Sequence, residues 1–266
     1  MNQRRAGLAT LLGVLFLAFL VDPAMAQGST SSTTTEELIW GLNSWLLYLA
    51  IPIAVLVEGI LIYTVWKYRK QEEPLPTKEN RRLEITWTIA TAIILVAVGI
   101  GAYTVLANPY VTASSTQELD TDQEPIEIQV TGQKYAWTYT YPNETVGEYV
   151  NESELGPNAT VSEIEYTQAG TGTQGLVLPK GRPVKLNITS TDWLHAFHVP
   201  EMGLKSDAFP GTYNVLITKA QEEGEYQLYC AEYCGQGHSN MLGTVEVRSE
   251  EEFDQFLTEQ TNTSDN

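Results

Sequence analysis

The chain has 266 residues, enough for one or two domains with a core of sandwich size. It carries 15 basic and 33 acidic residues, a net charge of −18 at pH 7. Because a strongly acidic protein repels phosphate backbones, this balance argues against nucleic-acid binding and favours a basic partner or the solvated acidic surface of a halophile's protein. The acidic excess is confined to the residues beyond 110, which include 7 basic and 25 acidic residues, against 8 of each before them.

Residues 1–26 have the pattern of a secretory signal peptide. Arg4 and Arg5 precede an apolar run at 8–21, and the small residues at 24–26 form a motif typical of a cleavage site. We expect cleavage after Ala26; an uncleaved anchor helix is the alternative. The segment 27–43 begins with a run rich in Ser and Thr, and we expect it to be disordered.

Two apolar stretches of 23 residues, 44–66 and 85–107, come next. At ~1.5 Å rise per residue each would form a helix about 34 Å long, enough to cross a bilayer core of ~30 Å. We therefore predict a transmembrane helical hairpin over 44–110. Its connecting loop, 67–82, holds six of the 15 basic residues. Since short loops rich in Lys and Arg stay in the cytoplasm, the C-terminal part of the chain is expected on the extracellular face of the cell membrane.

A linker at 111–124 precedes short stretches of alternating, β-branched or aromatic residues. These stretches lie at 126–130, 135–141, 184–188, 213–217, 226–229 and 244–247. Turn signals separate them, so the pattern predicts an all-β, antiparallel sandwich over 125–249. Residues 142–174 are expected to form a surface excursion, and the acidic tail at 250–266 is expected to form at most a short helix.

The densest group of potential metal ligands is a loop near the C-terminus. It contains both cysteines of the chain, Cys230 and Cys234, together with His238 and Met241. Thiolate, thioether and imidazole groups suit copper better than hard cations do. Two thiolates in one loop favour two coppers that share bridging sulfurs. A disulfide, a zinc site with two Cys and two His ligands, and a mononuclear blue-copper site remain alternatives.

A further donor is expected from His195, at the start of a predicted strand, because a sandwich can bring that end of the strand against the cysteine loop. His198 lies three residues further on and would point to the opposite face, so we interpret it as a polar or surface residue. A dinuclear copper cluster transfers single electrons. No nucleophilic triad, phosphate loop or dinucleotide motif is found in the sequence. We therefore interpret the chain as an electron relay, whose bond-making chemistry belongs to a partner subunit.

These motifs resemble those of subunit II of the haem-copper cytochrome c oxidases, over about residues 38–248. The resemblance rests on the runs 194–200, 204–211 and 230–241, which follow the order and spacing of that family. It implies two transmembrane α-helices followed by an exported Greek-key, cupredoxin-like sandwich with a dinuclear copper centre, CuA. The implied copper ligands are the side chains of His195, Cys230, Cys234, His238 and Met241 and the main-chain carbonyl of Glu232.

The resemblance also implies oxidase subunits 1 and 3 as partners in the membrane. Subunit 1 would carry the haems, at which oxygen is reduced to water with coupled proton translocation. The carboxylate of Glu232 would contribute to a magnesium site shared with subunit 1. Asp207 would lie at the interface with that subunit, and Glu84 would stand at the entrance of a proton pathway into it.

Electrons would enter through an aromatic patch that includes Tyr135 and Trp137. The family usually begins this patch with a Trp, where this sequence has Tyr135. The donor is therefore cytochrome c or, as this departure and the acidic composition favour, a small blue-copper protein. Three other functions are weighed against this interpretation: a copper-free quinol oxidase subunit, the copper domain of nitrous-oxide reductase, and an exported copper-storage or assembly protein.

Overall fold

The structure is a computed structural model that describes residues 31–71, 73, 76, 78–113, 123–151, 153, 155 and 160–264. The predicted signal peptide and most of the predicted linker lie outside the described residues. Internal contacts divide the chain into two units. One unit contains the residues of Trp40–Val105. The other contains the described residues of Thr30–Ile39 and of Leu106–Asn266.

Two long helices hold the apolar stretches: α1 at Thr34–Tyr68 and α2 at Arg81–Leu106. They have 35 and 26 residues, more than the ~20 that are needed to cross a bilayer. Most of their large apolar side chains are exposed, which suits contact with lipid rather than with a protein core. The predicted pair of long apolar helices is thus confirmed.

Helix α1 begins ten residues before the predicted span, so the expected disorder is wrong for residues 34–43. The hydroxyl of Thr33 accepts the N–H of Glu36 at 3.1 Å and donates to the carbonyl of Met202 at 2.7 Å. The carboxylate of Glu36 accepts the N–H of Ser32 at 2.7 Å. A Thr followed three residues later by Glu is a helix-capping pattern. The surrounding Ser and Thr residues obscure this pattern in the sequence.

The rest of the second unit is mainly β-structure. The structure describes ten strands there: β1 Ile126–Gln133, β2 Ala136–Tyr141, β3 Ile164–Gln168, β4 Leu176–Pro179, β5 Pro183–Ser190, β6 His195–Val199, β7 Leu204–Ala208, β8 Asn214–Lys219, β9 Gly224–Cys230 and β10 Leu242–Arg248. They form two five-stranded sheets, in the orders β3-β2-β1-β5-β8 and β4-β10-β9-β6-β7. Apolar side chains from both sheets form one buried core, which confirms the predicted β-sandwich.

The sequence pattern predicts antiparallel strands throughout, and this prediction is wrong for two pairs of strands. Strand β1 runs parallel to β5, and β4 runs parallel to β10; the other pairs are antiparallel. Alternation of polar and apolar residues determines which face of a strand is buried, but it carries no information about the direction of the neighbouring strand. The direction of neighbouring strands therefore cannot be predicted from a pattern that reports only burial.

Part of the predicted surface excursion at 142–174 belongs to the sandwich. It contains helix α3, Asn143–Tyr149, and strand β3, which pairs with β2 over its full length. Tyr166 on β3 stacks on Tyr141 at 6.1 Å between ring centroids, and their hydroxyls are 3.1 Å apart. The polar composition of this segment hides a strand that forms one edge of the sheet.

The acidic tail forms a longer helix than expected, α4 at Glu250–Ser264. Ser249 and Glu252 cap its first turn through reciprocal bonds between side chain and backbone N–H, both 3.2 Å long. The helix buries three apolar side chains against the sandwich: Phe253, Phe256 and Leu257. The tail is therefore part of the fold rather than a solvated extension.

We expect Phe253→Ala to lower the free energy of unfolding of the second unit by about 3–5 kcal/mol, because it empties a fully buried site. The ring of Phe253 packs on Tyr149 at 5.0 Å between centroids. Gln255→Ala, an exposed position on the same helix, is the matched control and should change stability by less than ~0.5 kcal/mol. Denaturant unfolding of the full chain in detergent, followed by near-ultraviolet circular dichroism, measures both. Equal stability of the two variants would contradict a structural role for α4.

Candidate metal centre

Two strands and the loop between them bring the predicted ligands together. Strand β9 ends at Cys230 and β10 begins immediately after Met241. The N–H of Cys230 donates to the carbonyl of Met241 at 3.1 Å and closes the neck of this loop. The next N–H, that of Ala231, donates to the carbonyl of Ala196 on β6 at 2.9 Å. These two bonds fix the cysteine loop against the strand that carries His195.

One side of the donor cluster is built around Cys230. Its Sγ lies 3.7 Å from His195 Nδ1 and 3.3 Å from the carbonyl oxygen of Glu232. The two cysteine sulfurs are 3.9 Å apart. The ligand atoms of His195, Cys230 and Cys234 all lie within 4.8 Å of one another, and all three residues are buried. A residue 35 positions upstream of the loop therefore joins it, as the sequence predicts.

The other side of the cluster is built around Cys234. Its Sγ lies 3.7 Å from His238 Nδ1 and 3.9 Å from Met241 Sδ. Met241 is completely buried, whereas His238 is half-buried at the rim. A short 3₁₀ helix at His238–Asn240 turns the chain back into β10 and sets the spacing of these two residues. The structure thus brings together all six donors predicted from the sequence.

Asp192, to which the sequence analysis assigns no role, holds His195 in place. The Nε2–H of His195 donates to its carboxylate at 2.9 Å, so Nδ1 is the nitrogen that faces Cys230. The same carboxylate accepts the N–H of Lys134 at 2.9 Å. A ligand histidine that donates its second nitrogen to a carboxylate has a fixed tautomer and orientation. In the sequence, only the position of Asp192 three residues before His195 indicates this contact. The turn between β5 and β6 is what brings the two side chains together.

The two thiols differ in their ionisation. Burial opposes ionisation of Cys230, but hydrogen bonds from His195 and from two backbone groups outweigh it and lower the pKa of this thiol to about 6. Burial and the neighbouring Cys230 thiolate raise the pKa of Cys234 to about 12. Burial also disfavours the charged form of His195, yet Cys230 and Asp192 together raise its pKa above the ordinary value. The protein alone therefore stabilises one thiolate, and a bound cation would have to displace the proton of the second thiol.

His198 takes no part in the cluster, in line with its interpretation as a polar residue. Its Nδ1–H donates to the carbonyl of Leu204 at 3.0 Å, on the neighbouring strand β7. Asp207 is an exposed residue of β7, the edge strand of its sheet. The side chain of Glu232 is exposed, while its carbonyl faces Cys230. Glu84 is exposed in the first turn of α2 and belongs to the other unit.

The two predicted electron-accepting aromatics differ in exposure. Trp137 is completely buried and packs edge-on against Phe197 and His195, so a docked donor cannot touch it. Tyr135 is half-buried and covers Gly235 and Gly237 of the cysteine loop. A Cβ at Gly235 would lie 2.7 Å from the hydroxyl of Tyr135, and one at Gly237 would overlap the ring. These glycines, unassigned in the sequence analysis, allow the ring to pack directly on the loop.

Two family models match this chain over more than half of its length. The model described as cytochrome c oxidase subunit II, periplasmic domain, matches residues 126–248. The model described as cytochrome c oxidase subunit II, transmembrane domain, matches residues 23–105. The two matches cover the β-sandwich and the two long helices in the order in which they occur here.

Two similar sequences support the same assignment. A protein of Rickettsia bellii, described as a probable cytochrome c oxidase subunit 2, is 30% identical over 93% of this chain and 90% of its own length. Cytochrome c oxidase subunit 2 of Cereibacter sphaeroides is 30% identical over 86% of this chain and 77% of its own length. The crystal structure of the periplasmic domain of subunit II of cytochrome oxidase of Bradyrhizobium japonicum is 24% identical, covers 54% of this chain and 98% of that domain, and superposes with a TM-score of 0.44.

The site, the two helices and the two matches agree with one another and with the expected localisation. The long apolar helices are the membrane spans, and the β-sandwich is the domain outside the membrane. The chain therefore belongs to the cytochrome c oxidase subunit II family and is a subunit of a membrane-bound oxidase.

Proposed function

We propose that this chain holds a dinuclear copper centre between β6 and the cysteine loop and through it passes electrons from a soluble donor to the haems of oxidase subunit 1. The observation that carries the proposal is the convergence of six donors, whose neighbouring atoms lie 3.3–3.9 Å apart. The proposed ligands are the side chains of His195, Cys230, Cys234, His238 and Met241 and the carbonyl of Glu232.

The spacing of the donors fits tetrahedral soft metals. Bonds of about 2.3 Å to sulfur and about 2.0 Å to nitrogen place tetrahedral ligands roughly 3.3–3.8 Å apart. A disulfide needs sulfurs about 2.05 Å apart, whereas those of Cys230 and Cys234 are 3.9 Å apart and both residues are free. A single structural zinc takes about four donors, which would leave two of the six without a role. Two copper ions would use the whole set of donors.

When bound, copper supplies one-electron transfer; the residues of this chain keep its ligands in place. Asp192 orients the His195 ring, and the backbone hydrogen bond from Cys230 N–H to the carbonyl of Met241 fixes both ends of the loop. His195 and Met241 are fully buried, so water has little access to them. Ligands held by strand register and a packed core move little when the charge changes, which favours fast electron transfer.

The complete ligand set argues against the other functions considered. A copper-free quinol oxidase subunit would have no need of two cysteines in this arrangement. The copper domain of nitrous-oxide reductase has no such pair of membrane helices. A copper-storage or assembly protein needs neither Glu84 nor an aromatic surface beside the metal. The match to both subunit II models also favours the oxidase function.

We further propose that the exposed carboxylate of Glu232 contributes to a magnesium site shared with subunit 1. The supporting observation is that its carbonyl faces Cys230 while its side chain is exposed, so one residue could join the two metal sites. Asp207, exposed on the edge strand β7, is proposed to lie at the same interface. Subunit 3 is proposed as a further member of the complex. Undiminished magnesium in an oxidase complex that carries Glu232→Gln would contradict the role of Glu232.

The proposed donor is a small blue-copper protein. Tyr135 replaces the Trp that is usual in the family, and the chain beyond residue 110 has 25 acidic against 7 basic residues. Cytochrome c is the alternative donor. Fast reduction of the purified complex by cytochrome c, with no reduction by a co-purified blue-copper protein, would contradict this choice.

We expect the purified chain to bind two coppers that share one unpaired electron. Cys230→Ser should destroy the centre, because it removes one of the two thiolates that would hold both metals. Met241→Leu is the matched control: it should retain both coppers and shift their reduction potential. Metal analysis and electron paramagnetic resonance of the full chain distinguish these results. One copper per chain, bound zinc, or an unchanged absorption spectrum in Cys230→Ser would refute the dinuclear centre.

We expect Asp192→Ala to weaken copper binding by about 10- to 100-fold, because His195 loses the carboxylate that fixes its tautomer. Glu225→Gln, an exposed acidic position on β9, is the control for the loss of one negative charge. Competition with a copper chelator measures the affinity of each variant. Equal affinities of Asp192→Ala and wild type would show that His195 is held by packing alone.

We expect Glu84→Gln to slow proton uptake by the assembled oxidase while its copper content stays unchanged. The side chain is exposed in the first turn of α2, in the position proposed for a proton-pathway entrance. Glu79→Gln, an exposed carboxylate in the same connector, is the control. Proton uptake after flash-initiated turnover gives the comparison. Normal uptake in Glu84→Gln would exclude this role.

A further inference from the structure

Electron transfer from a docked protein requires a side chain that is exposed to the donor and closely linked to a metal ligand, since the transfer rate falls steeply with distance. Three aromatic residues are compared: Trp137 packs on His195, Trp193 lies two residues before it, and Tyr135 packs on the cysteine loop. They differ in how far they meet both requirements. Electrons for the copper centre, which is itself part of the proposed function, must arrive through a side chain at the protein surface.

Two of the three aromatics are poorly placed for contact with a donor. Trp137 is completely buried. Tyr135 turns part of its ring and its hydroxyl towards Gly235 and Gly237, so its main contact is with the loop backbone rather than with solvent. The close approach of the ring to both glycines shows that Tyr135 supports the shape of the cysteine loop.

Trp193 meets both requirements. It is 54% exposed and lies two residues before His195. It is bonded covalently to Asp192, whose carboxylate accepts the Nε2–H of His195 at 2.9 Å. Two short routes therefore join Trp193 to the ligand: the covalent backbone, and the side chain of Asp192 with its hydrogen bond to His195.

Lys134 holds the exposed ring in position. Its Nζ lies 4.6 Å from the centroid of the Trp193 ring, within the range of a cation–π contact. The backbone N–H of Lys134 also donates to Asp192, so the lysine contacts both neighbouring residues. A large exposed indole that is held by its neighbours loses little conformational freedom when a partner binds.

We propose that Trp193 is the residue through which this subunit accepts electrons, in place of Tyr135. The matching partner is a soluble one-electron protein with an apolar docking face, which covers the indole, and an acidic group, which faces Lys134. Trp is enriched among the residues that dominate the binding energy of protein interfaces. Tyr135 then acts as a positioning residue for the cysteine loop.

The test uses the assembled, copper-loaded oxidase and two reduced probes, plastocyanin and cytochrome c. With whichever probe reduces the wild type, Trp193→Leu should lower the second-order rate constant about tenfold or more. Trp193→Phe should retain most of the rate. Tyr213→Leu, a change at another exposed aromatic position, should leave it unchanged. The copper absorption spectrum and the reduction rate with ruthenium(II) hexaammine, a small reductant that needs no docking face, should be unchanged in Trp193→Leu.

A second measurement is independent of electron transfer. Zinc-substituted, redox-inert plastocyanin and cytochrome c are each titrated into the copper-loaded chain in detergent, and Trp193→Leu should weaken about tenfold the binding of whichever protein binds the wild type. Unchanged rate and binding in Trp193→Leu, or a rate loss found instead in Tyr135→Phe or Tyr233→Leu, would overturn the proposal. If the wild-type chain has no copper that ruthenium(II) hexaammine can reduce, the proposed function fails together with this inference. If that copper is present but Trp193→Leu is reduced by the protein donors as fast as the wild type, the inference alone fails.

Discussion

The pairing of β9 with both β10 and β6 is the constraint on which the metal centre depends. It places Cys230 opposite Met241 at the neck of one loop and sets the same segment against the strand that begins with His195. The donors therefore meet because of backbone hydrogen bonds that form in the sandwich as a whole. A flexible loop would have to lose much more conformational entropy to gather the same side chains around a metal.

The surroundings of the cluster shape it as much as the ligands do. Asp192 selects the nitrogen of His195 that faces the cysteines, and its carboxylate is itself held by the backbone N–H of Lys134. Hydrogen bonds from His195 and from two backbone groups favour the thiolate of Cys230 at neutral pH, while the thiol of Cys234 resists ionisation beside it. Burial and like charge thus make the full thiolate pair depend on a bound cation.

The aromatic residues around the centre have different roles, which follow from how deeply each is buried. Trp137 fills the core beneath His195, Tyr135 covers the glycines of the cysteine loop, and Trp193 is exposed beside Asp192. Sequence position alone ranks Tyr135 and Trp137 as the contacts for a donor, because the family pattern places its aromatic patch there. Solvent exposure separates packing residues from a contact residue, and exposure depends on the fold of distant segments.

The sequence by itself determined the two membrane spans and the β-sandwich, because apolar length and two-residue periodicity are local properties. The ligand chemistry of the cysteine loop predicted a soft-metal site there, and the family resemblance implied the full set of six donors. The tertiary structure decided the parallel pairs β1–β5 and β4–β10, the early start of α1 at Thr34 and the packing of α4. It also decided that Asp192 meets His195 and that Trp193, not Trp137, is exposed. Each of these features depends on contacts between residues far apart in the chain or on the geometry of a turn, and periodicity and composition do not encode such contacts.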